Sequence, residues 1–231
     1  MFFDPLYLII VGPTMLLAFW AQMKVKGAYG KWSQVMASSR LTGAQAAARM
    51  LETAGIRDVA VEQVDGMLTD HYDPRAKKLR LSSGVYASNS VAAMGIACHE
   101  AGHAIQHAQG YAPLAMRNAI VPMAQIGSWL AMPMIMLGMM LQMQGLALFG
   151  VIAFSALVVF QMITLPVEFD ASNRAKEQIR SLGIVHSNEE GKGVAAVLDA
   201  AALTYVAATV TAVVTLLYFA MRLGLFGQRR D

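Results

Sequence analysis

The chain has 231 residues, of which 56% are hydrophobic and only 14% are charged, and its formal net charge is +3. Soluble domains carry roughly a quarter of their residues as charged side chains, so this composition indicates a protein of the lipid bilayer. The single cysteine excludes an internal disulfide framework. Nucleic acid is not an expected partner, because no basic stretch is interleaved with aromatic residues.

Four apolar segments are each long enough to form a transmembrane helix, which takes about 20 residues. The first follows Asp4-Pro5 and lacks the basic leader and the A-x-A cleavage site of a signal peptide, so an uncleaved anchor is favoured. Residues 118–167 contain no charged side chain, which is too long for one span and predicts two spans joined by a short turn. The predicted spans are about 6–23, 119–141, 146–166 and 200–223.

Four spans place the two polar segments, residues 24–117 and 168–199, on the same side of the bilayer. These segments can therefore share one site within a single domain that covers residues 1–231. We expect a mainly α-helical integral membrane protein with four transmembrane helices and a small α+β catalytic region.

Two helices are predicted in the first polar segment. Thr42 can cap a helix that ends at Ala54. Either Ser88 or Ser90 can cap a second helix that runs to about Gln109, where glycine and proline follow.

A β-hairpin is predicted between these helices. Residues 59–64 and 67–71 have alternating polarity on either side of Asp65-Gly66, a dipeptide typical of hairpin turns. Residues 79–81 predict a third strand.

The second polar segment predicts two more helices. Residues 168–182 form the first, which glycine ends. Ser187 and Glu190 have the spacing of a capping box and open the helix that becomes the fourth span.

Residues 99–103 read His-Glu-Ala-Gly-His, an HExxH motif inside a predicted helix. Histidines four residues apart lie on one helix face, so His99 and His103 can bind the same zinc ion. A catalytic zinc keeps one position open for water. Glu100 is predicted to be the general base that takes the proton of the zinc-activated water and passes it to the leaving amine. The motif therefore predicts a zincin-like metallopeptidase with one Zn²⁺ ion.

A third protein ligand is expected to complete the site. The longer HExxHxxGxxH motif is absent, because Gln106 and Gln109 occupy its last two fixed positions. We assign the third ligand to Glu168, at the start of the second polar segment, and a supporting role to Asp170. The alternative is that both carboxylates only complement the dipole at a helix N-terminus.

The roles of the other polar residues near the motif are left open. His107 lies about 12 Å of helical rise beyond His99, too far to share its metal, and is interpreted as a supporting or surface residue. Cys98 points about 100° away from His99 around the helix and is interpreted as a small buried residue. The candidates for stabilising an oxyanion are His71, Tyr72, Tyr111, Asn173, Arg174 and His186.

The chain resembles the YugP-like membrane zinc metallopeptidases (Zn-peptidase 2), which are related to the HtpX-type membrane proteases. The resemblance is carried by the stretch from Ser88 to His107, where HEAGHAIQHA begins at His99 and ends one residue beyond, and by residues 165–172, which read LPVEFDAS. It implies a zinc peptidase with one span before the catalytic segment and three after it. In the HtpX relatives a Glu-x-x-x-Asp pattern supplies the third zinc ligand, and its Glu corresponds to Glu168. Ser172 stands at the Asp position, which leaves the supporting partner open.

The distribution of lysine and arginine favours an active site that faces the cytoplasm from the inner or plasma membrane. The expected partners are the lipid bilayer and a peptide or membrane-protein substrate, and a regulatory membrane partner or a homo-oligomer is left open. A noncatalytic scaffold or regulator that retains the zinc site is the alternative, against which the intact Glu100 argues. A transporter is disfavoured because the predicted spans contain almost no ionisable groups.

Overall fold

The structure is a computed structural model that describes residues 4–226. Over this range the chain forms seven helices and three strands. The helices are α1 (Pro5–Trp32), α2 (Gly43–Thr53), α3 (Ser83–Tyr86), α4 (Val91–Ala108), α5 (Ala112–Met140), α6 (Gln144–Ser181) and α7 (Asn188–Arg222). The strands are β1 (Ala60–Val64), β2 (His71–Asp73) and β3 (Lys78–Ser82).

The contacts within the chain define two compact units. Unit 1 consists of Met1–Trp20, Met116–Leu165 and Thr204–Asp231, and unit 2 consists of Ala21–Ala115 and Pro166–Leu203. The expectation that residues 1–231 form a single domain stays a prediction.

Four helices, α1, α5, α6 and α7, are long and apolar enough to cross a membrane. They overlap the four predicted spans, which confirms a mainly α-helical protein with four candidate membrane helices. Large apolar side chains of unit 1 are exposed, among them Leu16 at 72% and Trp129 at 83%. Such an apolar exterior is stable where it faces lipid.

Helices α5 and α6 approach each other closely in unit 1. A Cβ built on Gly138 would lie 2.3 Å from the backbone nitrogen of Ala147, and a Cβ on Gly150 would lie 2.7 Å from the backbone nitrogen of Ile135. Glycine is needed at both positions because no side-chain atom fits between the backbones. The charge-free region therefore folds as the expected pair of helices.

The sheet of unit 2 has the strand order β1-β3-β2, with β3 parallel to β1 and antiparallel to β2. The predicted hairpin between residues 59–64 and 67–71 is wrong, because β1 and β2 do not pair with each other. The predicted third strand is instead the central one, and its Leu79 and Leu81 are fully buried.

The hairpin lies at the next turn along the chain, between β2 and β3. The Asp73 carboxylate accepts hydrogen bonds from the backbone N–H groups of Arg75 and Ala76, and Lys77 adopts a φ of 51°. Gly66 does bend the chain, with a φ of 106°, but Met67 after it is 82% exposed and belongs to no strand. The turn that the Asp73 side chain stabilises thus favours the pairing of β2 with β3.

Three of the predicted helix starts in unit 2, those of α2, α4 and α7, are confirmed. Thr42 and Gln45 form a capping box at α2, and the Ser90 hydroxyl accepts a backbone N–H at the start of α4. Ser187 and Glu190 form the corresponding reciprocal bonds at α7. Side-chain capping of this kind satisfies backbone groups that a helix end leaves unpaired.

Helix α4 is buried along most of its length in the core of unit 2. It packs against α2 and the sheet, and its own buried residues are mainly small. The largest fully buried side chains around it are Met50, Leu79, Leu81, Met94, Ile179 and Ile184. This core holds in place the helix that carries the HExxH motif.

Candidate metal centre

Three predicted ligands converge in unit 2. The Nε2 atom of His99 lies 3.2 Å from Oε2 of Glu168, and the Nε2 atom of His103 lies 3.7 Å from the same oxygen. The three donor atoms all lie within 4.8 Å of one another. Residues 99 and 103 are on α4 and residue 168 is on α6, so the site joins two helices.

These distances fit a tetrahedral zinc ion. Two ligand atoms that are each about 2.0–2.1 Å from zinc, at a tetrahedral angle, lie about 3.3 Å apart. Two imidazole nitrogens and a carboxylate oxygen are also the donor set of many catalytic zinc sites, which leave a fourth position open. The residues present therefore fit the ion that the motif implies.

The electrostatics of Glu168 agree with a role as a ligand. This carboxylate is buried, with only 3% of the residue exposed. Burial raises its pKa, but the His103 and His99 imidazoles lower it by more, so the pKa lies well below its usual range. Glu168 thus stays ionised in a buried position, which requires positive charge beside it.

Glu168 does not lie at a helix start. Helix α6 is continuous from Gln144 to Ser181 and passes through Pro166, so the expected separate helix over residues 168–182 is part of a longer one. The alternative that Glu168 and Asp170 complement a helix N-terminus is therefore wrong.

Gly102 sets the closeness of α4 and α6 at the site. A Cβ at this position would lie 2.8 Å from the carbonyl oxygen of Ala171 and 3.3 Å from its Cα. The glycine inside the motif thus lets the backbones meet beside His103 and brings Glu168 within reach.

Each histidine has a hydrogen-bond partner at its other ring nitrogen. The Nδ1 atom of His103 lies 2.9 Å from Oε1 of Gln106, and the Nδ1 atom of His99 lies 3.2 Å from Oγ of Ser172. Such partners orient metal-binding imidazoles. Asp170 contacts neither histidine ring directly but accepts a hydrogen bond of 2.8 Å from Gln106.

Sequence reasoning had left the partner of His99 open and had given Gln106 no role. The sequence signal for the contact between His103 and Gln106 is their spacing, because residues three apart lie on one face of a helix.

Glu100 lies between the two histidines in α4 and is half-buried. Burial lowers the pKa of His103, while hydrogen bonding to Glu168 and the charge of Glu100 raise it by more, so the net shift is upward. Glu100 is therefore close enough to act electrostatically on the ring of His103.

The remaining candidates have other partners. His107 is exposed, and its Nδ1 atom lies 2.8 Å from the hydroxyl of Tyr72. His71 contacts the carbonyl oxygen of Thr69, and His186 contacts the hydroxyl of Ser38.

Arg174 donates to Asp170 and Gln109 and lies over the ring of Tyr111. Asn173 is exposed. The Cys98 thiol is fully buried, which raises its pKa to about 12 and agrees with the expected small buried residue.

Comparison with known proteins shows the family of the chain. Residues 7–224 match the sequence profile of a family described as "putative neutral zinc metallopeptidase", and the chain belongs to that family. The chain is also similar to the "putative membrane protease YugP" of Bacillus subtilis (strain 168). The two are 48% identical over 216 residues, which cover 94% of this chain and 96% of the relative. No solved structure matches the chain.

The family assignment and the four apolar helices together define a membrane protein of a zinc metallopeptidase family. The resemblance found in the sequence is thereby confirmed.

Proposed function

We propose that the chain is a zinc-dependent endopeptidase of the membrane, with one ion held by His99, His103 and Glu168. The observation that carries the proposal is the convergence of these three buried or half-buried donors at zinc-ligand spacing. The carboxylate of Glu100 stands between the two histidines of the same helix, where a metallopeptidase needs its base.

Zinc, when bound, supplies a Lewis acid that polarises the peptide carbonyl and lowers the pKa of water. The Glu100 carboxylate accepts a proton from the attacking water and then donates it to the amine that leaves. The C–O bond forms when water adds to the carbonyl carbon, and the C–N bond then breaks as the amine takes the proton from Glu100. Because water is the nucleophile, the substrate is never bonded covalently to the enzyme.

The substrate that fits best is an extended peptide from a membrane-bound or misfolded protein. Strand β2 lies at the edge of the sheet and packs against α4, the helix of the HExxH motif. An extended peptide can add to such an edge by main-chain hydrogen bonds.

We also propose that the site faces the cytoplasm from the inner or plasma membrane. The supporting charges near the predicted spans on the catalytic side are Lys24, Lys26, Lys31, Arg117, Arg174, Lys176 and Arg180. On the other side the sequence predicts Arg222, and Arg229 and Arg230, which lie outside the described residues. A cysteine that replaces the exposed Glu177 should react with a membrane-impermeant maleimide in inverted membrane vesicles but not in intact cells. The reverse pattern would contradict this orientation.

A noncatalytic scaffold that keeps zinc for stability is the second candidate. Glu100 distinguishes it from the peptidase, because a structural zinc site has no use for a base beside the open position.

The test is cleavage of unfolded casein by the detergent-purified protein and by Glu100→Gln. Removing the base should lower the rate by about 100-fold to 10,000-fold without loss of zinc. The matched control is Glu177→Gln, which changes an exposed carboxylate of α6 and should cleave like wild type. Equal rates for Glu100→Gln and wild type would contradict the assigned base. A zinc-loaded wild type that cleaves neither casein nor membrane-protein substrates would favour the scaffold.

A further inference from the structure

The side chain of Gln106 connects the two helices of the metal centre. The residue is 0% exposed and lies one turn after His103 on α4. Its amide oxygen is 2.9 Å from Nδ1 of His103, and its amide nitrogen is 2.8 Å from the carbonyl oxygen of Val167 and 2.8 Å from Oδ2 of Asp170. The amide group therefore has three partners, two of which are on α6.

The two partners on α6 determine which way the amide faces. A backbone carbonyl oxygen and an ionised carboxylate oxygen only accept hydrogen bonds, so both need the NH₂ group of Gln106. An amide NH₂ has two hydrogens to donate, one for each acceptor. The remaining atom, Oε1, must then be the one that faces His103.

The orientation of Gln106 in turn determines the protonation of its neighbour. An amide oxygen only accepts, so Nδ1 of His103 must donate and must carry a hydrogen. Neutral imidazole has one N–H, and its other nitrogen offers a lone pair. When the ring is neutral, the lone pair is on Nε2, the atom that faces Glu168.

We propose that Gln106 is a positioning residue that holds His103 in the Nδ1–H tautomer, with Nε2 ready to bind a metal ion before the ion arrives. The proposal rests on the proposed zinc site and explains how one of its ligands is set in advance. Gln106 itself touches neither the ion nor the substrate.

Asp170 and Arg174 hold the amide in this orientation. Arg174 Nε donates to Oδ2 of Asp170 at 2.5 Å, and its Nη1 donates to Oε1 of Gln109 at 2.6 Å. The guanidinium keeps the carboxylate charged and fixed, so that it remains an acceptor for Gln106.

His99 has no such constraint. Its Nδ1 atom faces the hydroxyl of Ser172, which can donate or accept. The two histidine ligands are therefore unequal: His103 has its tautomer set by the fold, whereas either tautomer of His99 can be accommodated.

The test is ¹⁵N NMR of the metal-free, full-length protein labelled at histidine, because imidazole nitrogen shifts distinguish protonated from unprotonated atoms. The pH is raised until titration of the shifts shows a neutral ring, and the His103 signals are assigned by their loss in His103→Gln. Wild type should show hydrogen on Nδ1. Gln106→Met should move the population toward Nε2–H, and Gln63→Met, which changes an exposed glutamine of β1, should not.

Hydrogen on Nε2 in the wild type would overturn the proposal, and this result does not depend on the folding of any Gln106 variant. An unchanged tautomer in a folded Gln106→Met would overturn it too.

Zinc affinity, measured by competition with a chelator, provides a second readout. Gln106→Met should bind zinc about 10-fold to 100-fold more weakly, as is usual when the partner of a ligand histidine is lost. Equal affinity in Gln106→Met and wild type would contradict the positioning role. A wild type that binds no zinc but shows hydrogen on Nδ1 would contradict the proposed function and support the tautomer assignment.

Discussion

The two units of the chain satisfy their buried polar groups in different ways. Among residues 4–226, most buried polar side chains of unit 1 are threonines, and the buried Tyr218 adds a hydroxyl that donates to Asp4. The hydroxyls of Thr14, Thr164 and Thr209 each donate to a carbonyl oxygen three or four residues earlier in the same helix. Bonds of this kind stay within one helix, which suits a region surrounded by lipid. Of the three, the Thr209 hydroxyl also lies within 3.5 Å of a carbonyl oxygen on another helix, that of Gln161.

The buried polar groups of unit 2 bond between separate elements. Gln106 joins α4 to α6, the Ser172 hydroxyl contacts His99 on another helix, and Glu190 accepts from Ser38 before α2. A centre whose ligands come from two helices needs such bonds, because the helices must be held at one separation. Substitutions in the two units should therefore have different consequences.

The largest effect is expected from Gly102→Ala. The added Cβ would meet the carbonyl oxygen of Ala171 at 2.8 Å, so α4 and α6 must separate where His103 and Glu168 face each other. Overpacking of this kind costs about 1–3 kcal/mol, and we expect zinc affinity to fall by about tenfold or more. Thermal unfolding and chelator competition measure the two effects.

Gly27→Ala is the matched control in α1, because a Cβ there would meet nothing within 4 Å. It should stabilise the helix by about 0.5–1 kcal/mol. Wild-type zinc affinity in Gly102→Ala would show that the close approach of the helices does not position the ligands.

The second largest effect is expected at Glu190, whose contribution to stability depends on pH. Its carboxylate accepts from the backbone N–H groups of Ser38, His186 and Ser187 and from the Ser38 hydroxyl. Burial raises its pKa, and these bonds lower it by more, so the pKa of the folded state lies below the ordinary value. Ionised Glu190 therefore stabilises the folded state fully above about pH 4.3, the pKa of an unfolded glutamate. This stabilisation is lost as the pH falls through the lower pKa that Glu190 has in the folded state.

Glu190→Gln should destabilise the protein by about 1–3 kcal/mol at neutral pH and flatten the fall of its melting temperature in acid. Glu189→Gln, at the exposed neighbouring position, should leave both unchanged. An unaltered acid dependence in Glu190→Gln would contradict the role of this carboxylate.

Ser172→Ala should have a smaller effect, confined to the metal. Loss of the hydroxyl removes the partner of Nδ1 of His99, and zinc affinity should fall by about tenfold. The exposed Ser181 of the same helix provides the control, since Ser181→Ala should bind zinc like wild type. Equal affinities for the two variants would mean that the ring of His99 is oriented by packing alone.

The smallest effect is expected in unit 1. In the part of the chain that the structure describes, the hydroxyl of Thr164 donates to the Phe160 carbonyl oxygen of its own helix, so Thr164→Val should change stability by no more than about 0.5 kcal/mol. Ser82→Ala in unit 2, which breaks the bond from Ser82 Oγ to Asp70, should cost about 1 kcal/mol. A larger fall in melting temperature for Thr164→Val than for Ser82→Ala would contradict the difference between the two units.

Features that depend on local spacing could be predicted from the sequence. The caps at Thr42 and Ser90 follow from residue type and position, and the spans follow from the length of apolar runs. The two histidines share a helix face because they are four residues apart. Glu168 was assigned because few carboxylates lie on the catalytic side after the motif, and it does lie beside the two histidines.

Features that depend on distant packing could not be predicted. Gln106 and Val167 are 61 residues apart, and the need for glycine at position 102 appears only when α6 lies against α4. The sequence predicts a span that ends at residue 166 and a separate helix over 168–182, but α6 continues through Pro166 and joins the two. The hairpin was misplaced because Asp65-Gly66 is a strong turn signal, and the pairing partner of β1 comes later in the chain.

The most direct test of the zinc site is the metal content of purified wild type and Glu168→Ala, measured by elemental mass spectrometry. We predict about one zinc ion per chain in wild type and its loss in Glu168→Ala, because three protein ligands are needed for a stable catalytic site. Glu177→Ala, at an exposed position of the same helix, should retain the ion. A wild type without zinc, or a folded Glu168→Ala that retains it at full affinity, would contradict the proposed metal centre.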